Sequence, residues 1–355
     1  MRLGITPPVE LAGVAAAIEV AAGAEALGYP DVFSSEVGNA DAFTPLAVLA
    51  GRTSTIRLGT ALVPVFTRPP ALLAMTAAAM QAAANGRFVL GIGASTAYIV
   101  DRWMGLEFER PVERVREYLE ILRRLLAGER VTFEGSTVRV DGFQLQEQPV
   151  PPIPIHVGAL GPRMCRLAGG MADGVQLALM TPAGVRSALE HVRAGAREAG
   201  RDPAGIEVVL RLPIAVGEPS DVVRFLARRL LTGYAVTPSY RATLERQGFG
   251  EAVRPVLEAW AAGDRAGAVT ALADDVVDAF VVEGSPAACR ARLADYEEAG
   301  VTTVALMHLS AAPTPAERAQ DIRSQLRSLA PGAHPRGANA APAGGVRSRT
   351  GEASL

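Results

Sequence analysis

The sequence predicts an α/β protein folded as a (β/α)8 TIM barrel, with insertions after the fourth and the seventh strand. Three observations carry that expectation. Eight short apolar, strand-like runs recur along the chain, each followed by a helical run. Cap and turn residues mark the joins, with Thr-Pro or Ser-Pro pairs at residues 44, 181, 285 and 314. At 355 residues the chain holds the roughly 250 that such a barrel needs, with material to spare for connections. A doubly wound open sheet shows the same alternation. It is disfavoured because no glycine-rich dinucleotide fingerprint follows the first strand.

Taken in order, Arg2 to Thr6 reads as the first strand, ended by Pro7-Pro8. A helix to about Leu27 carries Leu11, Val14, Ile18 and Ala21 on one stripe, and Gly28 closes it. Strands two to four are Asp31-Val-Phe-Ser-Ser, Ile56-Arg-Leu-Gly-Thr-Ala-Leu and Arg87-Phe-Val-Leu-Gly-Ile-Gly. From Pro111 to Leu126 the apolar residues step by three and four, while Arg116, Glu117, Glu120 and Arg123 take the other faces of an amphipathic helix. Glu129 to Gln148 reads as a hairpin that interrupts the rhythm. Strands five to eight are Ile153–Val157, Asp173–Leu179, Ile206–Val216 and Val301–Leu309. Residues 217–285 are helical and too long for one crossover, so they form the second insertion, placed to cover the barrel mouth. The expected organisation is one domain over residues 1–330 and a disordered tail over 331–355, which is rich in Gly, Ala, Pro and Ser.

Hydrophobic content of 49% and charged content of 20% suit a packed core, and aromatics at 5% leave the packing to Ala, Val and Leu. A net charge of −2 argues against nucleic acid as a partner; all the basic residues are Arg, spread along the chain. The two cysteines are far apart in sequence, which excludes a disulfide framework, and no metal-ligand spacing occurs among the four histidines. With neither a signal-peptide pattern nor an apolar run long enough to cross a bilayer, the expected location is cytoplasmic.

Parallel strands place the segments after them at one end of the sheet, where α/β folds bind ligands. Gly91-Ile-Gly-Ala-Ser-Thr lacks the third glycine of a dinucleotide loop and fits either a tight turn or close backbone approach to a ligand. Gly158-Ala-Leu-Gly-Pro-Arg-Met follows the fifth strand and opens a helix, so its amides and Arg163 suit a phosphate, or else form an ordinary loop. Glu36, just past the second strand, is either a proton-handling carboxylate or a loop charge. His308 ends the last strand and either faces the mouth or packs in the core; His156 reads as a packed residue. Arg228-Arg229 is either a solvated helix face or an anion contact.

Several stretches together resemble the luciferase-like monooxygenase superfamily, in its deazaflavin-dependent branch, and within it methylenetetrahydromethanopterin reductase-like proteins. They include Ile56-Arg-Leu-Gly-Thr-Ala-Leu-Val-Pro, Asn85-Gly-Arg-Phe-Val-Leu-Gly-Ile-Gly, Pro154-Ile-His-Val-Gly-Ala-Leu-Gly-Pro-Arg-Met and Ala168-Gly-Gly-Met-Ala-Asp-Gly-Val. The likeness runs from Arg2 to about Leu329. It implies an oxidoreductase that moves a hydride between coenzyme F-420 and a small organic substrate, usually as a homodimer. An FMN-dependent monooxygenase or a non-catalytic flavin- or deazaflavin-binding protein is the alternative. It also implies a non-prolyl cis peptide at Ala61–Leu62, with Thr60, Ala61 and Leu62 behind the ring and Ala94 and Ser95 beside it. Gly158, Ala159, Leu160, Gly161 and Arg163 would hold the cofactor phosphate. Some deazaflavin enzymes have an Asp-His pair where this chain has Ser35-Glu36, and a glutamate where it has Thr96. Glu36, with Ser35, is therefore the candidate catalytic pair.

Overall fold

The computed structural model describes residues 1–331 apart from Asn39 and Pro219, so nearly all of the expected tail lies outside the described residues. Eight parallel strands form the barrel. They are β1 (Arg2–Ile5), β2 (Asp31–Ser34), β3 (Arg57–Thr60), β4 (Phe88–Gly93), β5 (Ile155–Gly158), β6 (Gly174–Ala178), β7 (Glu207–Val216) and β8 (Thr303–His308). The sheet closes on itself: β1 pairs with both β2 and β8, while β7 pairs with β6 along its first half and with β8 further up. Closure excludes the open sheet.

Outward-facing strand residues such as Val32, Leu58, Leu90, Ile92, Val157 and Val175 are buried under the helices. Inward-facing residues alternate with them. At the bottom of the barrel the interior is charged. Asp31, fully buried, accepts from Arg2 (2.8 and 2.9 Å) and from Arg57. Arg57 also grips Glu207 with both of its terminal nitrogens, and Thr303 Oγ1 donates to the same carboxylate at 2.7 Å. One layer up, Phe33, Val209 and Ala305 form an apolar floor. The top layer, at the C-terminal mouth, follows from the same alternation: Thr6, Ser35, Ala61, Gly93, Gly158, Ala178, Arg211 and Met307.

Of the pairs at residues 44, 181, 285 and 314, three cap helices as expected. Thr181, Ser285 and Thr314 accept from the amides of Gly184, Ala288 and Glu317, and Pro fills the first helical turn. Thr44 does not. Its helix (Phe43–Ala50) starts earlier, and the Asp41 carboxylate takes the amides of Phe43 and Thr44. The first helix is two, Val9–Ala12 and Val14–Ala26, broken at Gly13 where φ is +80°. Glu117 departs from its expected exposed position on the helix Pro111–Leu126. It is buried because the expected hairpin (Val131–Glu134 with Arg139–Phe143) folds over it and presents the amides and hydroxyls of Ser136 and Thr137.

Both insertions stand where the sequence places them. The second comprises five helices from Asp221 to Phe280 and a short strand, Val282–Gly284, that pairs in parallel with the end of β7. It packs around a core of its own, including Leu231, Leu244, Val253, Val276 and Phe280. Two polar side chains tie it to the barrel mouth. Gln247 accepts from Thr181 and donates to Leu179 O, and Arg246 donates to Leu160 O at 2.9 Å.

Candidate active site at the barrel mouth

The mouth has two unlike halves. On the side of β3 to β6 the top layer is Ala61, Gly93, Gly158 and Ala178, and the Leu62 side chain lies across the two glycines. A Cβ added at Gly93 would sit 2.5 Å from Leu62 Cδ2, and one at Gly158 only 2.1 Å. The Ala61–Leu62 peptide is cis, as the resemblance implies. Below this platform, Thr60 is fully buried and its hydroxyl both donates to Gly91 O and accepts from Gly91 N, each at 2.8 Å. Gln176 reaches across the barrel to donate to Thr60 O at 2.8 Å. Thr60 therefore supports Ala61 and Leu62 from beneath and presents no side chain to a ligand. Ala94 and Ser95 continue from β4 at the edge of the platform, with Ser95 at φ +63°.

Next to the platform the helix Pro162–Met171 begins. Gly161 stands at its N-cap with no side chain, so the first-turn amides have no protein cap. Arg163 is exposed there, and Arg246 arrives from the insertion. The helix is seated by backbone contact. A Cβ at Gly169 would lie 1.9 Å from Val192 O, and one at Gly195 equally close to Arg166 O. Ala159 is less available than the resemblance implies, because its side chain is buried and its amide donates to Gln176 O.

On the side of β7, β8, β1 and β2 the mouth is polar and encloses a cavity of about 220 Å³, lined among others by Thr6, Ser35, Arg211, His308 and, from the insertion, Leu226 and Leu230. Ser35 faces this cavity; Glu36 does not line it. Arg68 Nη1 donates to both Glu36 oxygens at 2.7 Å, and Thr67 and the Ala42 amide add longer contacts. Glu36 thus fastens the loop after β2 to the segment after β3. His308 is buried. Its Nδ1 is 3.0 Å from Gln325 Oε1, and burial lowers its pKa to about 4. His156, packed inside the lower barrel as expected, also falls to about 4 through burial. It is neutral at pH 7, so its 3.5 Å approach to Glu207 is no ion pair then. Arg228 pairs with Asp274, while Arg229 is exposed at the rim of the cavity. A larger cavity of about 500 Å³ opens beside the ends of β7 and β8, but none of the platform residues lines it. Both cysteines are buried and free.

Sequence reasoning missed Gln176, Arg211, Arg246 and Gln247. Only Arg211 leaves a signal in the chain: one charge inside the apolar run Val208-Val-Leu-Arg-Leu-Pro-Ile. The other three act through contacts between segments remote in sequence.

A closed parallel barrel with a small-residue platform and an uncapped helix start at its C-terminal mouth defines a class of ligand-binding barrel enzymes. The chain belongs to the luciferase-like monooxygenase family, whose model matches residues 1–303. Among curated relatives, 5,10-methylenetetrahydromethanopterin reductase of Archaeoglobus fulgidus is 33% identical over 271 residues, 75% of this chain and 81% of that protein. The enzyme of the same name from Methanolobus tindarius is 30% identical over 284 residues, 79% and 86% of the two chains. Among solved structures, the coenzyme F-420-dependent tetrahydromethanopterin reductase of Methanopyrus kandleri superposes with a TM-score of 0.76 at 24% identity, covering 93% of this chain and 97% of that one. That likeness shows the fold.

Proposed function

We propose that this protein is an oxidoreductase that moves a hydride between coenzyme F-420 and a small organic substrate. The observation that carries it is the platform: Gly93 and Gly158 lack side chains where Leu62 crosses the mouth, which leaves an apolar ledge for a planar ring. The choice of F-420 is supported by the name of a further curated relative, a putative coenzyme F-420-dependent oxidoreductase of Mycobacterium tuberculosis that is 30% identical over 308 residues, 80% of this chain. The family's description supports monooxygenation as the second reading, with FMN in place of F-420. A non-catalytic, cofactor-binding role is the third.

In the first reading Ala61 and Leu62 back the ring, and Thr60 and Gln176 hold them from below. Ala94 and Ser95 border it. The phosphate meets the loop Gly158 to Gly161, in which Ala159 shapes the backbone with its own amide held by Gln176 O, and the guanidinium of Arg163, with Arg246 close by. When bound, the coenzyme supplies the hydride chemistry. The chain supplies orientation and exclusion of water, with the insertion closing over the mouth. Ser35 offers a hydroxyl to the substrate side. Glu36 acts through Arg68, which sets the position of the loop that carries Ser35; the variant Glu36→Gln is expected to lower kcat without moving the pH optimum. The protein acts in the cytoplasm as a homodimer, for which the exposed Val48, Leu72 and Met75 on the helices Phe43–Ala50 and Pro70–Ala83 offer an apolar face.

Parallel fluorescence titrations with coenzyme F-420 and with FMN test the cofactor choice. F-420 is expected to bind at least tenfold more tightly. Tight FMN binding with none for F-420 reverses the choice in favour of the monooxygenase.

A further inference from the structure

The barrel interior holds guanidinium groups at both ends, and the two ends are treated differently. At the bottom, Arg57 is matched by Asp31 and Glu207, which between them accept from every nitrogen of its head. At the mouth, Arg211 has no such partner. Its Nε is buried without an acceptor, and among the described residues no carboxylate lies within ion-pair distance of it. Arg211 is half-buried, and a cation partly withdrawn from water costs free energy unless something pairs with it. The chain therefore carries at Arg211 a charge whose counterpart is not part of the fold.

The surroundings of Arg211 point the same way. It lines the 220 Å³ cavity, as do two other groups with buried, unpartnered polar atoms, the Thr6 hydroxyl and His308 Nε2. Gln325 determines which of these can donate. Its Nε2 donates to Leu309 O (2.8 Å) and Asp321 (3.1 Å), so its Oε1 is the acceptor for His308 Nδ1–H. His308 Nε2 is then a bare acceptor, while Arg211 and Thr6 can donate. Tyr234 and Tyr240, from the insertion and with ring centroids 4.6 Å apart, stand close enough to Arg211 for its charge to oppose the effect of burial on both phenols. The carboxylate of Glu10 and the guanidinium of Arg229 stay at the exposed rim. β7 lies opposite β3 in the barrel, so a group held at Arg211 extends across the mouth toward the platform at Ala61.

We infer that Arg211 is the anchor for an anionic oxygen group of the substrate, a carboxylate, so that the site takes an organic acid in preference to a neutral alcohol or ketone. This rests on the barrel mouth being the substrate site of the proposed oxidoreductase. Arg211 is a specificity-determining residue in it, with Thr6 as a second donor and His308 Nε2 as acceptor for a hydroxyl on the same molecule. The acidic groups of the cofactor share this chemistry, and the experiment separates the two sources.

The full-length protein is titrated calorimetrically with benzoate and lactate, and in parallel with benzamide and lactamide. The expected result is at least tenfold tighter binding of each acid than of its amide. Arg211→Gln is expected to bring acid and amide within about threefold of one another, and Arg211→Lys to retain part of the preference. Thermal melts of both variants show that they fold. Equal binding of acid and amide to the unaltered protein, no binding of either acid, or a preference that survives in Arg211→Gln overturns the inference. So does a tenfold loss of F-420 affinity in Arg211→Gln with the acid preference intact, which assigns the residue to the cofactor. An unaltered protein that prefers acids but binds no F-420 sinks the proposed reaction and leaves the acid site standing.

Discussion

Gly91→Ala is expected to destabilise the barrel by at least about 3 kcal/mol, lowering the melting temperature by roughly 5–10 °C where the variant folds at all. Gly91 sits in the barrel interior beneath the platform. A Cβ there would stand 2.0 Å from the Thr60 carbonyl oxygen and 2.4 Å from Gln176 Nε2. Neither can yield cheaply. The carbonyl belongs to β3, and the same oxygen accepts the Gln176 amide, so relief requires β3 and β4 to part and the hydrogen bonds of Thr60 to Gly91 to stretch. Gly158→Ala makes the contrasting case. Its Cβ meets the tip of the Leu62 side chain, which can rotate away. The melting temperature should change little, while cofactor affinity falls because Leu62 leaves the ledge. Scanning calorimetry on both variants, with a cofactor titration on the second, separates a backbone constraint from a binding surface. Equal melting temperatures for Gly91→Ala and the parent would remove the account of β3 and β4.

The second large effect is loss of stability in mild acid. Burial lowers His156 and His308 to about 4, so both are neutral in the fold and take up protons when the chain unfolds below pH 6.5. Their depressed folded pKa values mean that stability is lost as pH falls from about 6.5 to about 4. Three carboxylates act further down. Burial alone would raise Glu25, Glu117 and Glu207. The backbone and side-chain donors of residues 54–56, of Ser136 and Thr137, and of Arg57 and Thr303 outweigh it and hold each at about 2. With folded values below the unfolded 4.5, their contribution is complete above pH 4.5 and disappears as pH falls toward 2. Glu117 and Glu207 are each worth on the order of 3 kcal/mol at neutral pH. Urea unfolding at pH 7.0, 5.5 and 4.5 should show stability dropping by up to about 2.7 kcal/mol per pH unit between pH 6 and 4.5, the slope for two protons. The variant His308→Gln should lose about half of that slope. A flat profile from pH 7 to 4.5 would show that the two histidines are not neutral in the fold.

The barrel was legible because its signals are local. Each strand is a short apolar run, each helix an alternating pattern, and Thr181-Pro182, Ser285-Pro286 and Thr314-Pro315 announce helix starts from two adjacent residues. The loop at Gly158 to Arg163 was legible for the same reason, since a strand, a glycine pair and a helix-opening proline follow one another directly. What stayed hidden is decided by residues that meet only after closure. Glu36 stayed open between a proton-handling carboxylate and a loop charge because Arg68 is 32 positions away, and Glu117 looked solvated because Ser136 and Thr137 return to it only when the hairpin folds back. Thr60 was singled out only through the resemblance, and its hydroxyl is committed to Gly91, which no pattern in the chain announces. Arg211 shows the limit most clearly. Its charge is visible in the strand, but its lack of a partner is a property of the closed barrel.

The most direct test of the central claim is an anaerobic turnover measurement. The protein is mixed with oxidised coenzyme F-420 and a panel of hydroxy acids and neutral alcohols, and the visible absorbance of the coenzyme is followed. Bleaching with at least one hydroxy acid, dependent on the protein and weakened in Gly158→Ala, is the predicted result. No bleaching across the panel, together with oxygen uptake when reduced FMN is supplied in air, would contradict it and place the chain among the flavin monooxygenases.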